Sequence, residues 1–458
     1  MQHTDHALSA GTTYLFAMIL AAMILALALE EKLHAKKSII VGVFAAGSLL
    51  LASILGFIPF GDVIIPGGDR LHMPVYIEAV DWEVIAIIIG SSLFVDVTSR
   101  SGLFSWIAIK LTKLSLGDPL KLLWYYGIMT VVFSAILNNV TAMIIVGSLT
   151  GVSLNKLGRV NLLLGFLLIE GLLTNVGGLL TLISSVPNII VGNAAGISFV
   201  RFFLSASPYV LVSTLATLFL GAKLFRIEAL RLESEKDQAA ELIRSFDEND
   251  GIRSRRFFWF STSALVAFIV AIATTSITPV IQDLGMGFVA MAFALVVLAR
   301  FKHDVHEFYE AIDWDLILFF MSLFVVINVM EHARVLALIG KGVSWLIGDG
   351  NGAGGTLALL LSSAVFSSVT DNIPLSAMLA KILTSLEIPG DSSLWWSVVF
   401  GANLGGNITP IGSASTLVAV TIIHKNRLPL SFGGFIKLAI PFAAMQIFLA
   451  TLYVLFAL

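Results

Sequence analysis

Asn175-Val176-Gly177-Gly178, followed by Thr181, returns 228 positions later as Asn403-Leu404-Gly405-Gly406, followed by Thr409. Working outward, Val132-Phe133-Ser134 with Asn138-Asn139 returns 233 positions later as Val365-Phe366-Ser367 with Asp371-Asn372. Further out, Glu78-Ala79-Val80-Asp81-Trp82-Glu83 returns 232 positions later as Glu310-Ala311-Ile312-Asp313-Trp314-Asp315. Three matches in one order at nearly one offset read as an internal repeat.

The repeat is written in apolar sequence. Of 458 residues, 57% are hydrophobic and 12% charged, against about 25% charged in a soluble domain. Soluble enzymes, disordered chains and nucleic-acid binders are excluded; the net charge of −3 leaves no basic excess for phosphates. Cysteine is absent, so disulfides, thiolate metal sites and cysteine nucleophiles are excluded too. What remains is an all-α polytopic membrane protein. The first ten residues lack Lys and Arg and read as a short polar tail, not a cleavable signal.

A bilayer core of about 30 Å takes about 20 apolar residues per helix. Continuous spans are expected at 12–29, 38–58, 82–97, 202–224, 257–275, 284–299, 316–330 and 435–458. The stretches 118–155, 160–195, 353–388 and 394–424 are apolar but interrupted by Asn, Gly, Pro, Ser and Thr. They read as re-entrant hairpins and discontinuous helices, which survive at membrane depth only where protein or a cavity surrounds them. Lys32, Lys36 and Lys37 put the end of the first span in the cytoplasm, with Arg100, Lys110, Lys113 and Lys121 on the same side. With both chain ends outside, the first Asp-Trp lies at the outer face and the second at the inner face. The two repeats are therefore inverted. Their expected bounds are 1–225 and 257–458, joined by a solvated cytoplasmic linker, 226–256. Inverted repeats with paired broken helices are the architecture of secondary transporters, which bind substrate at the breaks. No nucleotide-binding motif is present.

The breaks supply the candidate site. In the first hairpin they offer Asn138, Asn139 and Thr141, with Asp371 and Asn372 in the second. The discontinuous helices offer Asn175, Thr181, Ser184 and Ser185, matched by Asn403, Thr409 and Ser413. Gly and Pro free backbone carbonyls there, while amides and hydroxyls are neutral ligands. Asp371 is the carboxylate within the breaks, where an acid is a functional residue by default. It is expected to exchange the coupling proton, with Glu170 as a second candidate. Asp96 and Arg100 read as an i,i+4 pair. His303 and His306, among Arg300, Lys302 and Asp304, read as solvated.

At these residues the chain resembles the ion transporter superfamily, in its arsenite permease, sodium–proton antiporter and P-protein branch. The resemblance rests on Asn138-Asn139-Val140-Thr141, Asp371-Asn372-Ile373-Pro374, the segment from Thr174 to Asn188, and Gly405-Gly406-Asn407 with Gly412-Ser413. It implies a homodimer with a scaffold and a transport domain, built from both hairpins and the broken helices, that moves as an elevator. P-protein-like members carry Asp where this chain has Asn138, and Gly-Asp-Pro-Pro-Asn where it reads Ser184-Ser185-Val186-Pro187-Asn188. Losing two acids disfavours a metal-cation site and suits a neutral polyol such as arsenous acid. The expected function is proton-coupled efflux of arsenite or antimonite from the plasma (inner) membrane. Sodium–proton antiport is the alternative, and dicarboxylate or other organic anion transport a further one. No cofactor is expected beyond a proton or sodium gradient. The expected partners are a small inorganic solute or ion, the lipid bilayer, a second copy of the chain, and an ATPase if the protein serves an arsenite pump.

Overall fold

The computed structural model describes residues 9–58, 62–64, 70–72, 74–244, 246–252, 254–301, 305–310, 312–348 and 352–458. The start of the polar tail, Ala311 of the repeated hexapeptide, and His303 with Lys302 and Asp304 lie outside these residues.

The segment before the linker folds into α1 (Ala10–Ala28), α2 (Glu30–Leu33), α3 (Lys37–Ile54), α4 (Val75–Glu78), α5 (Trp82–Ser99) and α6 (Leu103–Ser115). It continues with α7 (Pro119–Ile136), α8 (Asn139–Lys156), α9 (Leu163–Gly177), α10 (Val186–Ala194) and α11 (Phe199–Leu224). A two-stranded ribbon, β1 (Asp62–Ile64) and β2 (Arg70–His72), lies between α3 and α4. The linker carries α12 (Glu233–Arg244). Beyond it come α13 (Arg255–Thr274), α14 (Pro279–Arg300), α15 (Val305–Glu310), α16 (Trp314–His332) and α17 (Val335–Ile347). The chain closes with α18 (Ala353–Val369), α19 (Asn372–Ser385), α20 (Ser393–Gly405), α21 (Ala414–Lys425) and α22 (Phe432–Ala457). Among the described residues ten helices are long and apolar enough to cross a membrane.

Local chemistry recurs at the spacing of the repeated motifs. Asp81 caps α5 by accepting backbone N–H bonds from Glu83 and Val84, and Asp313 caps α16 by accepting one from Leu316. Trp82 Nε1 donates to the Ile77 carbonyl at 3.0 Å, and Trp314 Nε1 to the Tyr309 carbonyl at 3.3 Å. Pro208 and Pro441 each fall inside a 26-residue helix, where a proline removes one ladder bond.

Helices of the two segments pack against each other in crossed pairs. Helix α3 packs along α16, and α5 packs along α14. Ser38 donates to the Asp315 carboxylate across the first contact, and the Met286 N–H donates to Glu83 Oε1 at 3.2 Å across the second. Gly285 takes φ +77° beside Glu83, turning α14 so that this N–H points at the carboxylate. The centre is built by α9 and α20, buried along nearly their whole length, while α1 and α13 keep mostly exposed apolar faces.

The linker, expected to be solvated, keeps most of its described residues exposed and is anchored to the helices at a few points. Leu230 N–H donates to Asp118 Oδ2 at 2.9 Å, and the same carboxylate caps α7 through Lys121 N–H. Ala239, Ile243 and Phe246 are buried, and Lys156 at the end of α8 lies 4.5 Å over the Phe246 ring. Glu248 accepts from Lys110 at 2.7 Å and also from Lys113. Hydrogen bonds from Lys110 and then Lys113 push its carboxyl down to about 2. Ala239 and Ile243, four apart on α12, give one helix face something to bury despite the charged run around it, and Phe246 is buried just past the helix.

Candidate functional site

The two hairpins break in the same way. Between α7 and α8, Leu137 and Asn138 are extended, and Asn138 Oδ1 caps α8 by accepting from Thr141 N–H at 2.8 Å. Between α18 and α19, Thr370 and Asp371 are extended, and Asp371 Oδ1 caps α19 by accepting from Ile373 N–H at 3.1 Å. Caps of this kind satisfy N–H groups that a helix start leaves orphaned. Each hairpin is then stitched to its own broken helix by exchanged hydroxyl-to-carbonyl bonds. Ser134 donates to Thr174 O at 2.6 Å while Thr181 donates to Ala135 O at 2.6 Å. Ser367 donates to Ala402 O at 2.5 Å while Thr409 donates to Ser368 O at 2.5 Å.

The broken helices bond to each other. Ser185 and Ser413 occupy the N-cap positions of α10 and α21, yet neither hydroxyl caps its own helix. Ser185 donates to Asn403 Oδ1 at 2.8 Å, and Ser413 donates to Asn175 Oδ1 at 2.9 Å. Asn403 Nδ2 donates to Asn188 Oδ1 at 2.9 Å, and Asn175 Nδ2 to Asn407 Oδ1 at 2.8 Å. Asn407 passes the network to Gln446 at 2.8 Å, which donates to Thr217 at 3.0 Å. Ser184 is spent inside its own break, donating to the carbonyls of Gly178 and Thr181. These groups are buried, uncharged and satisfied by one another. Asn139 stands at the edge, half-buried, with Nδ2 3.3 Å from Asn175 Oδ1; Thr141 is half-buried and Asn138 exposed.

The two acids sit apart from this network. Glu170 is fully buried in α9, where Thr150 donates to Oε1 at 2.6 Å and Oε2 has no partner among the described residues. Asp371 Oδ2 accepts from Lys37 Nζ at 2.6 Å, and the same ammonium lies 3.8 Å from Glu30. A cavity of about 280 Å³ lies against this pair, lined also by Pro410, Ile411 and His424. A second, more apolar cavity of about 650 Å³ reaches Asp371 from the side of α17 and α19.

The sequence model of the family described as Citrate transporter matches residues 24–399. The chain belongs to the citrate transporter family. That family sits within the ion transporter superfamily expected from the hairpin motifs. Among its relatives, a 46 kDa membrane protein of Mycobacterium leprae is 30% identical over 379 residues, spanning 82% of this chain and 86% of that protein. The P protein of Mus musculus is 26% identical over 528 residues, spanning 97% of this chain and 62% of that protein. The fold is similar to the YdaH transporter of Alcanivorax borkumensis, with TM-score 0.59 and 12% identity over 92% of this chain and 98% of that one. It is also similar to MtrF of Neisseria gonorrhoeae, with TM-score 0.55 and 13% identity over 93% and 95% of the two chains. This citrate transporter family member is a multi-pass membrane transporter.

Set against the expected site, Asn175, Thr181, Ser184, Ser185, Asn403, Thr409 and Ser413 are gathered into the two stitched breaks, with Asn139 at their edge. The cavities that Asp371 lines include none of Asn138, Asn175 or Asn403. Asn372 is buried, and its backbone carbonyl accepts from Ser376 at 2.7 Å. Asp96 pairs with Arg100 at 2.9 Å, as its spacing implied. Contributors outside the expected set include Gln446, Thr217, Lys37, Asn188 and Asn407. The first two carried a usable signal, a polar side chain in the middle of a long apolar helix.

Proposed function

We propose that this transporter is a proton-coupled exporter of a small neutral metalloid hydroxide of the arsenite or antimonite class. The observation that carries the reading is the chemistry of the network joining the two breaks: amides and hydroxyls, with no charged side chain among its named members. An amide offers two donors and two acceptor lone pairs, which suits a solute that is itself a set of hydroxyl groups. Two carboxylates would meet no cation in that network, so organic anion transport is not carried forward. In this reading the stitched hairpins and broken helices form one body, and the solute binds at its open edge near Asn138, Asn139 and Thr141. The protein acts as two inverted repeats, 1–225 and 257–458, in a homodimer in the plasma membrane.

An uncharged solute gains nothing from the membrane potential, so uphill export needs a coupled ion. Asp371 takes the proton-exchanging role, with Glu170 as the buried second acid. The test is ΔpH-driven flux of arsenite in vesicles, for the native chain and Asp371→Asn at matched expression. Native flux that follows ΔpH and loses that dependence in the variant supports the reading. Saturable Na⁺/H⁺ exchange without arsenite flux, or uptake of labelled citrate, would replace it.

A further inference from the structure

The Asp371–Lys37 contact joins the tip of the second hairpin to the first residue of α3, 334 positions away. Helix α3 packs on α16 and α1, outside the hairpins and broken helices. The charged and titratable groups around Asp371 are few among the described residues. Lys37 touches it from α3, Glu30 stands behind Lys37, and Asp315 of α16 accepts from the neighbouring Ser38. Lys32 and His424 line the same 280 Å³ cavity. The faces of α17, α18 and α19 that line the second cavity at Asp371 carry no charged side chain.

The geometry points to Lys37 as a state-specific counter-ion that decides when Asp371 takes up its proton. This inference rests on the proposed proton coupling and adds the residue that would enforce it. The asymmetry of the pair is what matters. When the hairpin tip leaves, Lys37 keeps a carboxylate, because Glu30 already stands 3.8 Å away. Among the described residues no second cation bonds Asp371, Lys32 standing only along the cavity wall, and an unpaired carboxylate drawn into a low-dielectric interior is costly. Departure from Lys37 therefore requires protonation, and return to Lys37 releases the proton. The hairpin moves with a neutral tip, and the step is linked to pH on the side where Lys37 sits.

The test uses the absence of cysteine in this chain. Thr370, beside Asp371, lines both cavities, so Thr370→Cys in the purified, reconstituted full-length chain gives a single thiol reporter. Its alkylation rate, divided at each pH by that of the same thiol in the denatured chain to cancel thiolate formation, is measured with no substrate present. The expected change on acidification is about fivefold or more, the lower range of coupled equilibria. Adding Lys37→Met should flatten that response, and Lys37→Arg should keep it. A Lys37→Met reporter with the native pH response, or a native reporter that ignores pH, would overturn the inference. Should Lys37→Met not yield a monodisperse protein, Asp371→Asn on native Lys37 serves instead, and a retained response there is equally fatal. Because labelling needs no solute, an intact pH response without arsenite flux would sink the substrate reading alone.

Discussion

Asn175 and Asn403 each accept a hydroxyl from the serine that begins the other's downstream partner helix, Ser413 at 2.9 Å and Ser185 at 2.8 Å. The reciprocity is not perfect. Asn175 Oδ1 also receives Ser415 at 3.1 Å and Asn139 at 3.3 Å, whereas Ser185 is the donor to Asn403 Oδ1 among the described residues.

That difference sets the order of two substitutions. Ser413→Ala removes one of several donors and should cost about 0.5–1.5 kcal/mol, while Ser185→Ala strands a buried acceptor and should cost about 1–3 kcal/mol. Thermal unfolding in detergent of both variants checks the ranking; equal losses would contradict it.

Close helix approach at Gly405 and Gly90 leaves no room for a methyl group. A Cβ on Gly405 would overlap the Ala364 carbonyl oxygen, and one on Gly90 would lie 2.6 Å from Met291 N. Gly405→Ala and Gly90→Ala should each destabilise by about 1–3 kcal/mol. Gly342→Ala, with nothing within 4 Å, should be neutral or stabilising by up to about 1 kcal/mol. Opposite signs in a single melting series are the outcome to look for.

Glu248 gives the linker a pH signature. Its carboxyl is pushed from 4.5 to about 2 by Lys110 and Lys113, so the native state holds this proton less tightly than the opened linker. The clamp's contribution is present above 4.5 and is lost as pH falls through about 2. Pepsin cleavage within 226–256, divided at each pH by cleavage of an unstructured peptide to cancel the protease's own titration, should accelerate over that window, and Glu248→Gln should raise it at the upper end and remove the slope.

Thr150 is the partner of Glu170 in the middle of the protein. Thr150→Val keeps the shape but leaves a buried carboxyl without its hydrogen bond, and should cost about 1–3 kcal/mol. Thr150→Ser should restore stability. If Thr150→Val melts with the native chain, Glu170 draws its support from elsewhere.

The breaks were legible because they need special residues: Gly177 and Gly405 for close approach, Asn138 and Asp371 for caps, and a Ser-containing turn before α10 and α21. Matching at a fixed offset then separated them from ordinary polar residues in apolar helices. Lys37 was legible only as a loop cation, since nothing local says that its partner lies 334 positions away. The anchoring points of the linker were not legible because charge dominates α12, although Ala239, Ile243 and, past the helix, Phe246 are buried. Gln446 and Thr217 lie in unbroken helices, where hydropathy outweighs a single amide or hydroxyl.

The crossed packing of α3 and α5 has a cost in time as well as in space. Ser38 finds Asp315 only after a further 277 residues have been made, which at 5–20 residues per second takes about 14–55 s. During that interval the nascent α3 sits in the bilayer without α16, its main helical neighbour. The packing of α3 is therefore completed only once α16 has been made, and a chain arrested before α16 leaves that face of α3 without its partner.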